Sequence, residues 1–207
     1  RRFRDAGATF EERGGWLVPV SVPGEEGWLA HVGVADISHL AKLEVRPAGE
    51  PVEGDGIVWY PISQRRALVL CAPSLAPRVR EQTSDRFVLD VTGALSVIAI
   101  VGPEADTVLR RLTHIHHFPS GGEVAHVTAH VLQRGGGYWL VFAQELGHYL
   151  SEVVLDRAGV IQLVNAATER IFGYGRAELV GRHIEMLVPP HLRTQLAQPA
   201  RRQAFPA

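Results

Sequence analysis

The 207-residue sequence predicts an α+β fold made of split strand–helix–strand units, with a change of texture near residue 153. Three observations carry this. Short runs alternate apolar and polar residues with period two, as half-buried strands do. Between them lie segments whose apolar residues recur every three to four positions, the spacing of one helical face. Finally, the order strand–helix–strand–strand–helix runs over 95–153 and again, in outline, over 16–82, which is the split βαβ or ferredoxin-like arrangement in duplicate.

The elements follow in order. Trp16 to Val22 is a short β-like run after Gly14-Gly15. Glu25 to Val34 suits a helix, with Trp28, Leu29 and Val32 on one side. From Leu40 to Arg46 the period is two, so Ala41, Leu43 and Val45 are expected inside and Lys42, Glu44 and Arg46 outside. Ile57–Tyr60 and Ala67–Cys71 are strands around a polar turn at Ser63 to Arg66, and Leu75–Gln82 is a helix with Pro77 in its first turn. A second cycle opens with strands at Phe87–Thr92 and Leu95–Val101. A helix over Glu104–Leu112 follows, acidic at its start and basic at its end as the helix dipole prefers. Val124 to Leu132 alternates, with His126, Thr128 and His130 on one face. Gly135 to Gly137 turns the chain into a strand at Tyr138–Phe142, and the next helix shows Leu146, Tyr149, Leu150 and Val153 on its apolar face.

A small internal echo agrees with duplication. Asp36-Ile37-Ser38 precedes Ala41, Leu43 and Val45 at the same offsets at which Asp90-Val91-Thr92 precedes Leu95, Val97 and Ala99, 54 residues later. The plainer reading is two similar turns, each capped by Asp and a hydroxyl.

Beyond residue 153 a hairpin is expected: an apolar strand from Val153, a turn at Asp156 to Gly159, and a second strand from Val160 to Val164. Asn165 caps a short helix closed by Gly173, and Arg176–Val180 is another, closed by Gly181. Charge divides at the same place. Residues 1–155 carry 14 basic against 18 acidic groups, and residues 156–207 carry 7 against 4. Two domains are therefore expected, 1–152 and 153–207.

Composition narrows the function classes. Neither part has the clustered basic face of a nucleic-acid binder. The longest uncharged stretch, 91–103, contains two Gly and a Pro and is too short for a membrane helix, which needs about 20 apolar residues. One Cys excludes a disulfide framework and fits a reducing compartment, so a cytoplasmic location is expected. No initiator Met is present, and a chain cut at both ends is expected. His114, His116 and His117 with His126 and His130 offer nitrogen for a metal, but their spacing fixes no geometry, and solvent-facing histidines are the expectation. Cys71 closes an apolar strand and is read as a buried thiol. Neither a nucleophile elbow nor a phosphate-cradling glycine loop occurs, so no catalytic residue and no metal ligand is assigned.

The run Asp156 to Asn165, then Ala167 to Tyr174, then Glu178 to Arg182 and Leu187 to Pro190, resembles the start of a PAS sensor domain, with Asp156, Gly159, Asn165, Phe172, Gly173, Tyr174 and Gly181 as its punctuating residues. The resemblance implies a five-stranded sheet around a ligand pocket, of which only the first half has a counterpart here. It argues against flavin, because the photosensory branch needs a Cys in this segment. It argues against haem, because His191 falls five residues before the axial position.

Gly33 to Val45, Asp90 to Thr92, Ile100 to Pro103 with Leu109 and Leu112, and Tyr138 to Phe142 with Tyr149-Leu150 resemble the aminomethyltransferase (glycine-cleavage T-protein) and sarcosine oxidase γ-subunit group. This resemblance implies tetrahydrofolate as a cofactor, one-carbon transfer, and a folate-like pocket lined by Asp36, Ser38 and His39. The catalytic acidic pair of that group has no counterpart: the nearest segment is Glu53-Gly-Asp-Gly-Ile57. The expectation is a sensory or regulatory protein whose PAS-like module is coupled to a non-catalytic, small-molecule-binding body. The competing reading is a folate-dependent one-carbon component. A third is an interaction domain whose open PAS edge takes a partner strand or a second copy.

Overall fold

A computed structural model describes residues 7–13, 15–21, 32–157, 175–179 and 182. The chain divides into two compact units, Arg1–Ala158 and Gly159–Ala207. In the first, β1 (Thr9–Arg13) and β2 (Trp16–Ser21) form a separate antiparallel hairpin. Then come β3 (Gly33–Asp36), β4 (Ala41–Arg46), β5 (Ile57–Ser63), β6 (Arg66–Cys71), α1 (Ala76–Gln82), β7 (Phe87–Asp90), β8 (Leu95–Val101) and α2 (Ala105–Leu112). The unit continues with β9 (Ser120–Val124), β10 (Val127–Arg134), β11 (Gly137–Ala143) and α3 (Gly147–Arg157). Of the second unit the structure describes one short helix, α4 (Arg176–Leu179), inside the helix expected at 176–180.

Two antiparallel sheets organise the first unit, one in the order β3-β8-β11-β10-β9 and the other β5-β6-β4-β7. They are related by an exchange of strands. β3 pairs with β8 yet leads directly into β4 of the other sheet, while β7 pairs with β4 and leads directly into β8. The echoed tripeptides are the two crossing points. At one, the Ser38 N–H donates to Asp36 Oδ1 (2.9 Å) and the Val97 N–H donates to Ser38 Oγ (2.9 Å). At the other, the Thr92 N–H donates to Asp90 Oδ1 (3.0 Å) and the Lys42 N–H donates to Thr92 Oγ1 (2.9 Å). Each Asp closes its turn and each hydroxyl fastens the crossing strand to the sheet it leaves. The two halves are not identical, since β4 passes to β5 through a loop where β8 passes to β10 through α2 and β9.

The cores follow from which faces are covered. Leu43, Val45, Val69 and Cys71 pack with Val79 of α1 on the outer face of the second sheet. Its inner face, with Val58, Tyr60, Leu68 and Leu70, packs on Val97, Leu132 and Val141 of the first. Ile98, Ile100, Leu140 and Phe142 face the other way and are buried with Leu109 of α2 and Leu150 and Val154 of α3. Cys71 is a buried free thiol, and burial raises its pKa.

Five expectations need correction. Residues 33 and 34 belong to β3, not to a helix, and residues 25–31 lie outside the described residues. Val124–Leu132 is two strands, because Ala125 and His126 take positive φ (48° and 65°) and reverse the chain, so His126 and His130 share no strand face. In α3 Leu150 and Val154, four positions apart, are buried, whereas Val153 is half-buried and Tyr149 is exposed. Val153 to Asp156 is helical as part of α3, so the first strand of the expected hairpin is absent there. Lys42, expected outside, is fully buried because the second sheet is covered on both faces.

One polar pair lies between the sheets. Tyr60 Oη and His130 Nδ1 are 3.2 Å apart with the rings edge to face. Burial, then the nearby Arg66 charge, lowers the His130 pKa below 6.5. The unfolded imidazole binds a proton that the folded one resists, so this group costs stability progressively as pH falls through 6.5. Urea denaturation between about pH 5 and 7 should show that loss in the wild type and a smaller one in His130→Asn.

Candidate functional site

The crossing of β3 into β4 gathers several polar side chains beside a cavity. Asp36 lies opposite Ile98 in the pairing of β3 with β8, so its side chain is on the helix-covered face of the first sheet. Ser96 and Phe142, opposite each other on β8 and β11, share that face. Above them runs the first turn of α3, where Gly147 lets the helix sit close: a Cβ there would lie 3.1 Å from Ser96 Oγ. Between these elements is a cavity of about 240 Å³. Asp36, Ser38, Ser96 and Ile98 line it from the sheet side, with Phe142. Gly147, His148 and Ser151 line it from α3.

Of the three residues singled out by resemblance, the cavity brings together Asp36 and Ser38. His39 is not in its lining. Its half-buried ring keeps Nδ1 buried without a hydrogen-bond partner, and burial, then Arg13, lowers its pKa below 6.5. Ser96, Phe142 and Ser151 were missed, because the pairing that brings them to Asp36 is a long-range one. Asp156 lies in α3, and Gly159, Asn165, Phe172, Gly173, Tyr174 and Gly181 lie outside the described residues.

Lys42 is the other residue that sequence reasoning missed. Its Nζ donates to the Ser38 carbonyl at 2.6 Å. Burial lowers its pKa from 10.5 to about 8, against the opposing pull of the Asp36 and Asp90 carboxylates. The alternation along β4 identifies its face correctly but cannot report that a second sheet covers that face.

The remaining candidates separate. His114, His116, His117 and His126 are exposed, and among the described residues no group of three or more His, Cys, Asp or Glu is placed to hold a metal ion. Glu53 and Asp55 are exposed on the turn before β5. No described helix is long and apolar enough to cross a membrane.

Comparison with known proteins gives two kinds of likeness. Residues 153–205 match the model of the PAS fold. An aminomethyltransferase of Mycobacterium avium (strain 104) is 48% identical over 52 residues, 23% of this chain and 14% of that protein. One from Mycobacterium tuberculosis (strain H37Rv) is 46% identical over the same length. The match thus spans about one seventh of these relatives. Among solved structures, the glycine cleavage system aminomethyltransferase T of Bartonella henselae aligns with a TM-score of 0.59 at 17% identity, covering 93% of this chain and 68% of that one. A chain of the heterotetrameric sarcosine oxidase of Corynebacterium sp. U-96, in complex with pyrrole 2-carboxylate, aligns with a TM-score of 0.52 at 14% identity, covering 66% and 89%. The chain therefore carries an aminomethyltransferase-like α+β fold together with a segment that matches the PAS fold.

Proposed function

We propose that this chain is part of a sensory or regulatory protein in which the PAS-matching segment receives a signal and the aminomethyltransferase-like body binds a small molecule without transforming it. The observation that supports this reading is the cavity under α3. It is sized for a small ligand and lined by polar groups, Asp36, His148 and three serines, together with Ile98 and Phe142, and no hydrogen-bonded pair of nucleophile and base occurs among its described lining residues. The turn at Glu53 to Ile57 also lacks the acidic pair on which one-carbon chemistry rests in the group the sequence resembles.

The second reading, a folate-dependent one-carbon component, is favoured by the 48% identity to the Mycobacterium avium aminomethyltransferase. Calorimetric titration with tetrahydrofolate, followed by an assay for methylenetetrahydrofolate in the presence of an aminomethyl donor, separates the two. On the proposed reading no methylene transfer appears above the protein-free control, whether or not tetrahydrofolate binds. Saturable binding accompanied by transfer would overturn it in favour of the enzyme.

A further inference from the structure

We propose that the cavity under α3 is a site for a small protonated amine, held by Asp36 and the hydroxyls around it. This rests on the reading of the body as a small-molecule binder and names the class of its ligand.

The hydrogen-bonding groups that line the cavity are weighted toward acceptors. Asp36 uses Oδ1 to accept the Ser38 N–H at 2.9 Å, and its second oxygen has no hydrogen bond among the described residues. Ser38 Oγ accepts the Val97 N–H and donates weakly back to the Val97 carbonyl at 3.4 Å. Ser151 donates its proton to the Gly147 carbonyl at 2.5 Å, so what it offers the cavity is lone pairs. Ser96 is 8% exposed and its hydroxyl makes no hydrogen bond among the described residues. That hydroxyl lines the cavity without a protein partner among the described residues, so it offers a polar occupant one donor and its lone pairs. Open acceptors therefore outnumber open donors, and one of them is a carboxylate. An ammonium group, with three N–H donors and no acceptor, is the complement.

The surrounding charges agree. The Lys42 ammonium is taken by the Ser38 carbonyl, and it stands within Coulombic reach of two carboxylates, Asp36 and Asp90. The Arg13 guanidinium is bound to Glu11 at 3.0 Å. His148 faces Glu152 at 3.6 Å. The amino end of α3 carries about half a positive charge, less than the full negative charge of Asp36. The Phe142 and Ile98 side chains supply apolar wall for a short carbon chain.

The test uses three molecules of similar size and different charge: ethanolamine, ethylene glycol and glycolate. Each is titrated into the 15N-labelled chain while the amides of Asp36, Ser38, Ser96 and Ser151 are followed by NMR. Ethanolamine should shift these amides saturably, with the other two at least about tenfold weaker. Asp36→Asn keeps the oxygen that receives the Ser38 N–H, so the turn is retained, but it removes the charge. It should weaken ethanolamine about tenfold or more. Ser96→Ala, which breaks no hydrogen bond among the described residues, should weaken it severalfold. Equal or tighter binding of glycolate or ethylene glycol at these amides would overturn the amine assignment and leave the small-molecule reading standing. Ethanolamine binding that survives Asp36→Asn, or no shift with any of the three, also overturns it. The tetrahydrofolate experiment decides the broader reading independently.

Discussion

Between pH 8 and 10.5 the wild-type chain should gain up to about 3 kcal/mol of folding stability that a Lys42→Met chain does not. In the unfolded chain Lys42 keeps its proton to 10.5, whereas in the folded chain it gives it up near 8. Between those values the unfolded state binds more protons, so stability rises with pH. Below 8 both states are protonated and the full cost of burying the charge is present. The cause is geometric: the side chain is fully buried between two sheets and its ammonium has one hydrogen bond, to the Ser38 carbonyl. The Asp36 and Asp90 carboxylates offset only part of the lost hydration.

Chemical denaturation of both chains at neutral pH, near 9 and near 10.5 reads the difference directly. Tyr60, Tyr138 and Cys71, whose pKa values burial raises, titrate on the alkaline side too and act in the opposite direction. They are common to both chains and cancel. At neutral pH Met has nearly the length of Lys and removes the buried charge. It also leaves the Ser38 carbonyl without its donor, a cost of about 1–3 kcal/mol. The two changes are of similar size, so the variant should be about as stable as the wild type there. Lys42→Ala adds a cavity and should lose about 2–5 kcal/mol. Parallel pH curves for wild type and Lys42→Met would remove Lys42 from this role.

Lys42 also marks where the sequence stops being legible. Period-two alternation along β4 groups Lys42, Glu44 and Arg46 correctly. Whether that group meets water depends on where the other sheet lies, which is a long-range fact. The two crossing turns were legible because Asp36-Ile-Ser38 and Asp90-Val-Thr92 do the same local job, closing a turn and fastening a crossing strand. The break at Ala125-His126 was not, since neither residue is a usual choice for positive φ in succession and the flanking alternation reads straight through it. β3 escaped for the opposite reason: Gly-Val-Ala-Asp is too short and too small to show a pattern, and its pairing with β8 is what makes it a strand. The site divides along the same line. Asp36 and Ser38 belong to a local turn motif. Ser96 and Phe142 reach them only through the registers of β3 with β8 and of β8 with β11, and Ser151 only through the packing of α3 on that face.

That second register has its own test in a run of three glycines that look alike in sequence. Gly135 and Gly136 form the turn between β10 and β11, with φ of 56° and 75° and nothing near the position of an added Cβ. Gly137 is already in the strand, buried and paired with Val101, and a Cβ there would fall 2.2 Å from the Ile100 carbonyl oxygen and 2.9 Å from Val101 Cα. Both are backbone atoms of a central strand and cannot swing aside. Gly137→Ala should therefore cost about 3 kcal/mol or more, through displaced backbone and broken pairing. Gly135→Ala and Gly136→Ala meet only the left-handed backbone, worth about 1–2 kcal/mol, and Gly135→Asn should cost less because Asn tolerates that region. Thermal melting ranks the four variants. If Gly137→Ala melts with the wild type, β8 and β11 are not in the register that sets Ser96 opposite Phe142, and the cavity over which α3 closes would lose its floor.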